Sequence, residues 1–151
     1  MKTALSLSLL AGTLPVPVLA QSGVQTRATI SLYEQPGGLV LGADKRVYTN
    51  YFNTLRTRSV AVAVTLEYPA AAEASRLSVG CQMTRPEGRV SEGIWKIPLN
   101  IVAGSTRAAG ANVMFGAGKE GWGTGVYKVT CAATSSLGET FFQMSPGPSL
   151  S

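Results

Sequence analysis

The 151-residue chain has no histidine, one aspartate (Asp44) and seven dispersed glutamates. General acid–base catalysis rests on histidine, or on paired carboxylates whose surroundings push their pKa values apart. An enzyme built from this composition needs several of the glutamates to converge on one cleft. A serine nucleophile needs a base, and neither Ser-x-x-Lys nor the Gly-x-Ser-x-Gly elbow occurs. The two cysteines, Cys81 and Cys131, are not spaced as Cys-x-x-Cys, and without histidine a metal site lacks ligands. The residue types therefore predict a non-enzymatic protein with no metal and no cofactor.

Residues 116–125, "GAGKEGWGTG", hold five of the seventeen glycines, and the first six match Gly-x-Gly-x-x-Gly. A dinucleotide loop of that spelling works at a helix N-terminus, where amides and the helix dipole meet a pyrophosphate. Here the next residues are Val126-Tyr127-Lys128-Val129-Thr130, β-branched, aromatic and alternating. No helix is expected there. The loop reads instead as a connection between strands on opposite sheets, with glycines at positive φ.

Binding chemistry has better candidates. "RVYTNYFNTLRTR", 46–58, combines Tyr48, Tyr51 and Phe52 with Arg46, Arg56 and Arg58. Aromatic residues and arginine dominate binding hot spots. The competing reading turns Tyr48 or Phe52 to the core and leaves the arginines as a solvated edge that blocks strand–strand aggregation. Lys119 and Glu120 stand at a loop tip, a usual place for recognition in sandwiches. Trp95 and Trp122 are the other large side chains. The candidate binding residues are Tyr48, Tyr51, Arg56, Arg58, Lys119 and Trp122.

The elements that must position these residues show period-two alternation. Strands are expected over 24–33, 46–53, 59–68, 76–85, 89–97, 107–115, 126–134 and 139–144. Val60, Val62, Val64 and Leu66 share one face of the third, with Ala61, Ala63, Thr65 and Glu67 on the other. Leu77, Val79, Cys81 and Met83 line one face of the fourth, and Tyr127, Val129, Cys131 and Ala133 one face of the seventh. Pro36-Gly37-Gly38, "RPEGR" (85–89) and "SSLG" (135–138) read as turns. "AAAEAS", 70–75, has helical propensity but room for no more than a turn. Seven or eight short strands with almost no helix predict an antiparallel two-sheet sandwich or a small barrel.

Residues 1–20 have the form of a secretory signal peptide: Lys2, an apolar run from Ala4 to Leu14, and Val18-Leu19-Ala20 before Gln21. The mature chain is expected to start at Gln21, with one domain over 21–145 and a disordered tail over 146–151. Without Lys2 the net charge is +4, modest and scattered, which favours solubility over nucleic acid as its meaning. No later segment is apolar enough to span a bilayer as a helix. In an oxidising compartment Cys81 and Cys131 are expected to bridge. That bridge closes a loop of about 50 residues, worth about 4 kcal/mol by chain entropy.

"GWGTGVYKVTCAATSSLGETFFQM", 121–144, resembles the closing hairpin of small bacterial secreted Ig-like domains, which read Trp, Gly-x-Tyr-x-Val, a short turn, then Phe two residues before an aliphatic. Here those positions are Trp122, Gly125, Tyr127, Val129, Gly138, Phe142 and Met144. The resemblance covers about 24 residues, with a looser match through "RTRSVAVAVTLEYP" and "RPEGRV". It implies an Ig-like sandwich with Tyr127 at the base of the penultimate strand and Trp122 capping the core. Trp95 is then a core or core-capping residue as well. Similarity to antibody-type domains is weaker: Cys81, Trp95 and Cys131 fit, but Val129 stands where tyrosine precedes the second cysteine. Two strands before Cys81 put the cysteines on neighbouring strands of one sheet. A skipped edge strand would make the bridge an inter-sheet one.

The expected role is a secreted or periplasmic binding or accessory module of a bacterial envelope. Its partner is a protein or an envelope polymer, not nucleic acid. The alternative is a small-molecule or lipid carrier with a barrel cavity.

Overall fold

The computed structural model describes residues 26–37 and 40–147. The expected signal peptide, and the tail from residue 148, lie outside them. Among the described residues alternation becomes nine strands: β1 (Arg27–Gln35), β2 (Tyr51–Asn53), β3 (Ser59–Glu67), β4 (Ser75–Thr84), β5 (Val90–Glu92), β6 (Ile97–Ile101), β7 (Arg107–Gly116), β8 (Gly125–Ala132) and β9 (Ser136–Ser145). One sheet runs β2-β9-β8-β4, and the outer edge of β4 is shared by β5 and β6. The other runs β1-β3-β7. Every ladder is antiparallel except β2 on β9. The chain is thus a two-sheet β-sandwich, and no α-helix occurs among the described residues.

The inward faces are those that the alternation marks. Val60, Val62, Val64 and Leu66 of β3 meet Leu77, Val79, Cys81 and Met83 of β4 and Tyr127, Val129 and Cys131 of β8 in one core. Sheets that bury one face each leave the other for solvent, but β3 departs from this. Ala61 and Ala63, on the face opposite the valines, are buried under Tyr33 in a second small cluster with Leu41, Ala111 and Met114. β3 is the middle strand of its sheet, and the 40–48 segment folds over its outer side. Cys81 and Cys131 are directly opposed on β4 and β8 and form a disulfide, with their Cα atoms 4.1 Å apart. The bridge lies within one sheet, as expected.

Nine strands among the described residues replace seven or eight because one segment changes sheets and divides, while a second is shortened by a similar crossing. The returning strand expected over 89–97 stops at Glu92. Gly93 donates to the Cys81 carbonyl, and Ile94 then crosses to pair with Met114 of the other sheet. A Cβ on Gly93 would stand 2.3 Å from Val113 Cγ1, so only glycine lets the backbone pass this close to the core. Trp95 follows at φ 67°, and β6 begins afresh at Ile97. On the opposite side the strand expected over 46–53 shrinks to Tyr51–Asn53. Tyr48 pairs with Tyr33 of β1, Thr49 donates to the Leu32 carbonyl, and Asn50 accepts from the amide of Gln143 on β9. Each flank is therefore stitched by a segment that hydrogen-bonds to both sheets, a form of edge protection.

Two smaller expectations change. "AAAEAS" forms no helix; it is a loop in which Ala71 is buried and its backbone bonds to 104 and 105. The last hairpin turns at 133–135, and Gly138 occupies a bulge inside β9 at φ 145°.

Candidate binding site

The register of β3 on β7, Ser59 opposite Gly116, fixes which loops share an end of the sandwich. The 54–58 turn, the 85–89 hairpin turn, the 117–124 glycine loop and the segment after β9 all emerge there. Four of the six candidate residues lie in these loops, although 66 residues of sequence separate Arg56 from Trp122. Tyr51 joins them on β2, and Tyr48 sits further round the flank.

Asn53 builds the first part of the site. Its Oδ1 accepts from the amides of Leu55 and Arg56 at 2.8 and 3.0 Å, closing an Asx-type turn. Its Nδ2 donates to the Gly147 carbonyl at 2.9 Å, tying the turn to the end of β9. Thr57 Oγ1 accepts from the Asn53 amide and donates to Glu34. Alternation on β2 sends Phe52 inward, edge-on to Phe142 with ring centres 5.4 Å apart, and leaves Tyr51 74% exposed. The result is an open groove of about 590 Å³ lined by Glu34, Tyr51, Asn53, Arg56, Gln143 and Ser145 among others. A ring, a guanidinium, a carboxylate and two amides face one space, a mixture that orients a polar ligand.

The competing sequence reading holds for Phe52, which is core. Tyr48 lies on the outer face of the smaller sheet, its ring edge-on to Tyr33 at 5.8 Å. Arg46 stacks over Tyr33 at 5.1 Å. Arg58 runs along Gly37 and does not line the groove. Burial pushes the Tyr33 phenol above its ordinary value, against the pull of Arg46.

Trp122 is 8% exposed and caps the core as the resemblance implied. Its indole Nε1 donates to the Thr57 carbonyl at 2.9 Å, so the glycine loop is pinned to the turn that carries Arg56. It meets Tyr127 and Phe142 edge-on. Tyr127 Oη donates to the Gly123 carbonyl at 2.7 Å, and burial holds that phenol above its ordinary value despite nearby Arg85. Trp122 thus supports the site and offers no surface to a ligand. Trp95 departs from the resemblance: it is 63% exposed on the opposite flank.

The glycine loop connects β7 to β8 on opposite sheets, and Gly118, Gly121 and Gly125 have φ of 79°, 77° and 143°. A strand, not a helix, begins at Gly125. The phosphate-loop reading has no geometry to rest on. Lys119 lines a second open groove, about 330 Å³, with Arg85, Arg89, Ser91, Glu120 and Gly116–Gly118.

Two carboxylates do converge here. Glu87 and Glu120 both pair with Arg89 Nη2, at 3.3 and 3.2 Å. The shared nitrogen holds them within about 7 Å of each other, a spacing that paired-carboxylate hydrolysis can use. That chemistry also needs one carboxyl kept protonated by an apolar site. Both carboxylates are exposed, with a guanidinium between them. Among the described residues no group of three metal-ligating side chains forms.

Arg85 escaped the sequence reading. It extends the inward series 77, 79, 81, 83 by one step, so its burial was signalled by the same alternation that placed Cys81. Asn53, Gln143 and Glu34 carried no such signal, because the β2–β9 pairing brings the first two together and Glu34 reaches them from the other sheet, bonded to Thr57.

No protein-family model matches the chain, and no curated protein matches it. Among solved structures it is similar to "Pseudomonas fluorescens alkylpurine DNA glycosylase AlkC bound to DNA containing an abasic site analog", with a TM-score of 0.48 and 14% identity. The match covers 83% of this chain and 32% of that one, so the chain spans about a third of that protein's length. A likeness this distant carries no functional argument.

Proposed function

We propose that this protein is a non-enzymatic binding or accessory module of a bacterial envelope, secreted or periplasmic. It holds a protein or an envelope polymer in the groove beside β2. The observation that carries the reading is the placement of Tyr51 and Arg56 on one open groove with Asn53, Gln143 and Glu34. The groove is supported from behind by the Trp122–Thr57 bond. Tyrosine and arginine are among the residue types enriched at binding hot spots. The disulfide suits an oxidising compartment, and the Ig-like resemblance of 121–144 suits a secreted module. Against the lipid-carrier alternative, Tyr127 stacks on Phe142 at 4.8 Å and Trp122 closes the end, filling the interior with side chains.

Affinity capture from native envelope with the oxidised chain from Gln21 tests this reading. Tyr51→Ala/Arg56→Ala is expected to lose capture while melting as the parent does. Capture that survives the double variant discards the groove. Displacement of a bound dye by fatty acids at a single saturable site would instead favour the carrier.

A further inference from the structure

The second groove carries an inference independent of the first. Arg85 is 6% exposed, and a buried guanidinium is ordinarily paired with a carboxylate. All eight acidic side chains of the chain lie within the described residues, and none pairs with Arg85. Glu87 and Glu120 stand in the neighbouring loops, but both pair with Arg89. Arg85 Nη2 donates to the Ala117 carbonyl at 2.7 Å and Nη1 to the Gly121 carbonyl at 3.4 Å. Its Nε has no partner among the described residues. A cation with an unmet donor is thus held in a low-dielectric wall, where lacking a counter-charge is unfavourable.

The wall is also rigid. The guanidinium stacks over Trp122 at 5.5 Å and over Tyr127 at 5.9 Å, with Gly118 across it. Lys119 stands at the rim with its ammonium in no ion pair among the described residues. Counted over both loops, Arg85, Arg89 and Lys119 outnumber Glu87 and Glu120 by one charge. We infer that this groove binds an oxyanion, a carboxylate or a phosphate group, with Arg85 at its base and Lys119 at its rim. The planar fork of arginine suits either group, and the lysine adds a movable point charge. The glycine loop so meets an anion through two side chains, not through a helix N-terminus.

A purely structural Arg85, clamping the loop by its two carbonyls, makes a different prediction. The test uses the oxidised chain with Trp95→Phe, so that indole fluorescence reports Trp122 alone. Acetate and inorganic phosphate are titrated separately against chloride at matched ionic strength, with amide NMR shifts of Gly116–Lys119 as a second readout. Saturable shifts with acetate, phosphate or both, and not with chloride, are expected. Lys119→Glu, an exposed change that leaves the fold intact, is expected to weaken the binding at least tenfold. Arg85→Met is expected to abolish it. If neither anion produces a saturable shift, or if Lys119→Glu binds as the parent does, the site does not exist and Arg85 is a clamp only.

Discussion

The two ends of the sandwich are built differently. At the end formed by the 68–74 and 102–106 loops, backbone meets backbone. Tyr68 donates to the Thr106 carbonyl, Ala71 to Ser105, and Gly104 back to Ala71, all within 3.0 Å. Tyr68 Oη and Ser105 Oγ add a side-chain bond at 2.9 Å. The glycine-loop end has backbone bonds too, such as Thr54 to the Ser145 carbonyl, but its loops are joined through side chains as well: Trp122 to Thr57, Asn53 to Gly147, Arg85 to Ala117 and Gly121. The three buried polar or charged side chains among the described residues, Gln35, Thr57 and Arg85, are there. Loops that satisfy their own backbone need nothing further. An end that buries a cation without a counter-charge carries an unfavourable contribution that an anion in the second groove would relieve.

The comparison can be broken most forcefully at Trp122. Trp122→Ala removes the cap and the donor to Thr57, and is expected to destabilise by about 4 kcal/mol, as large core truncations do. Urea unfolding measures the loss, and hydrogen exchange should show opening at 54–58 and 117–124 first, with the 68–74 end still protected. Removing the disulfide as Cys81→Ala/Cys131→Ala should lower stability by up to about 4 kcal/mol. The bridge lies between the ends, so exchange should rise at both.

Tyr68→Phe deletes one hydroxyl bond at the quieter end and is expected to cost about 1 kcal/mol. A loss as large as that of Trp122→Ala would contradict the idea that the backbone holds this end. Alkaline pH sharpens the contrast from the other side. Burial raises the Tyr127 and Tyr33 phenols in the folded state. Their contribution is therefore complete below the unfolded phenol value near 10 and is lost as pH rises through the folded values. The urea midpoint should fall between pH 9 and 11 by more than in Tyr127→Phe/Tyr33→Phe. The smallest effect on folding belongs to Tyr51→Ala, within about 0.5 kcal/mol by calorimetry, despite its effect on capture.

Much of the fold is legible in local pattern. The inward residues of β3, β4 and β8 follow the two-residue repeat, and the β-branched, aromatic run after Gly125 favours a strand over a helix. The same repeat, followed one step further, marks Arg85. The breaks are not legible. Gly93 and Trp95 divide one expected strand because the chain there leaves β4 for β7, and Ala63 is buried because a distant segment covers it.

The sequence alone determined which side of each strand is apolar and that the glycine-rich stretch is a turn. Those are properties of a few adjacent residues, set by backbone geometry and the aversion of apolar groups to water. Tertiary structure alone decided that Tyr51, Arg56 and Gln143 share a groove, that Trp122 is spent on the core, and that Arg85 lies beside Lys119 without a carboxylate. Those depend on which strands become neighbours, and that is settled by packing the two sheets as a whole.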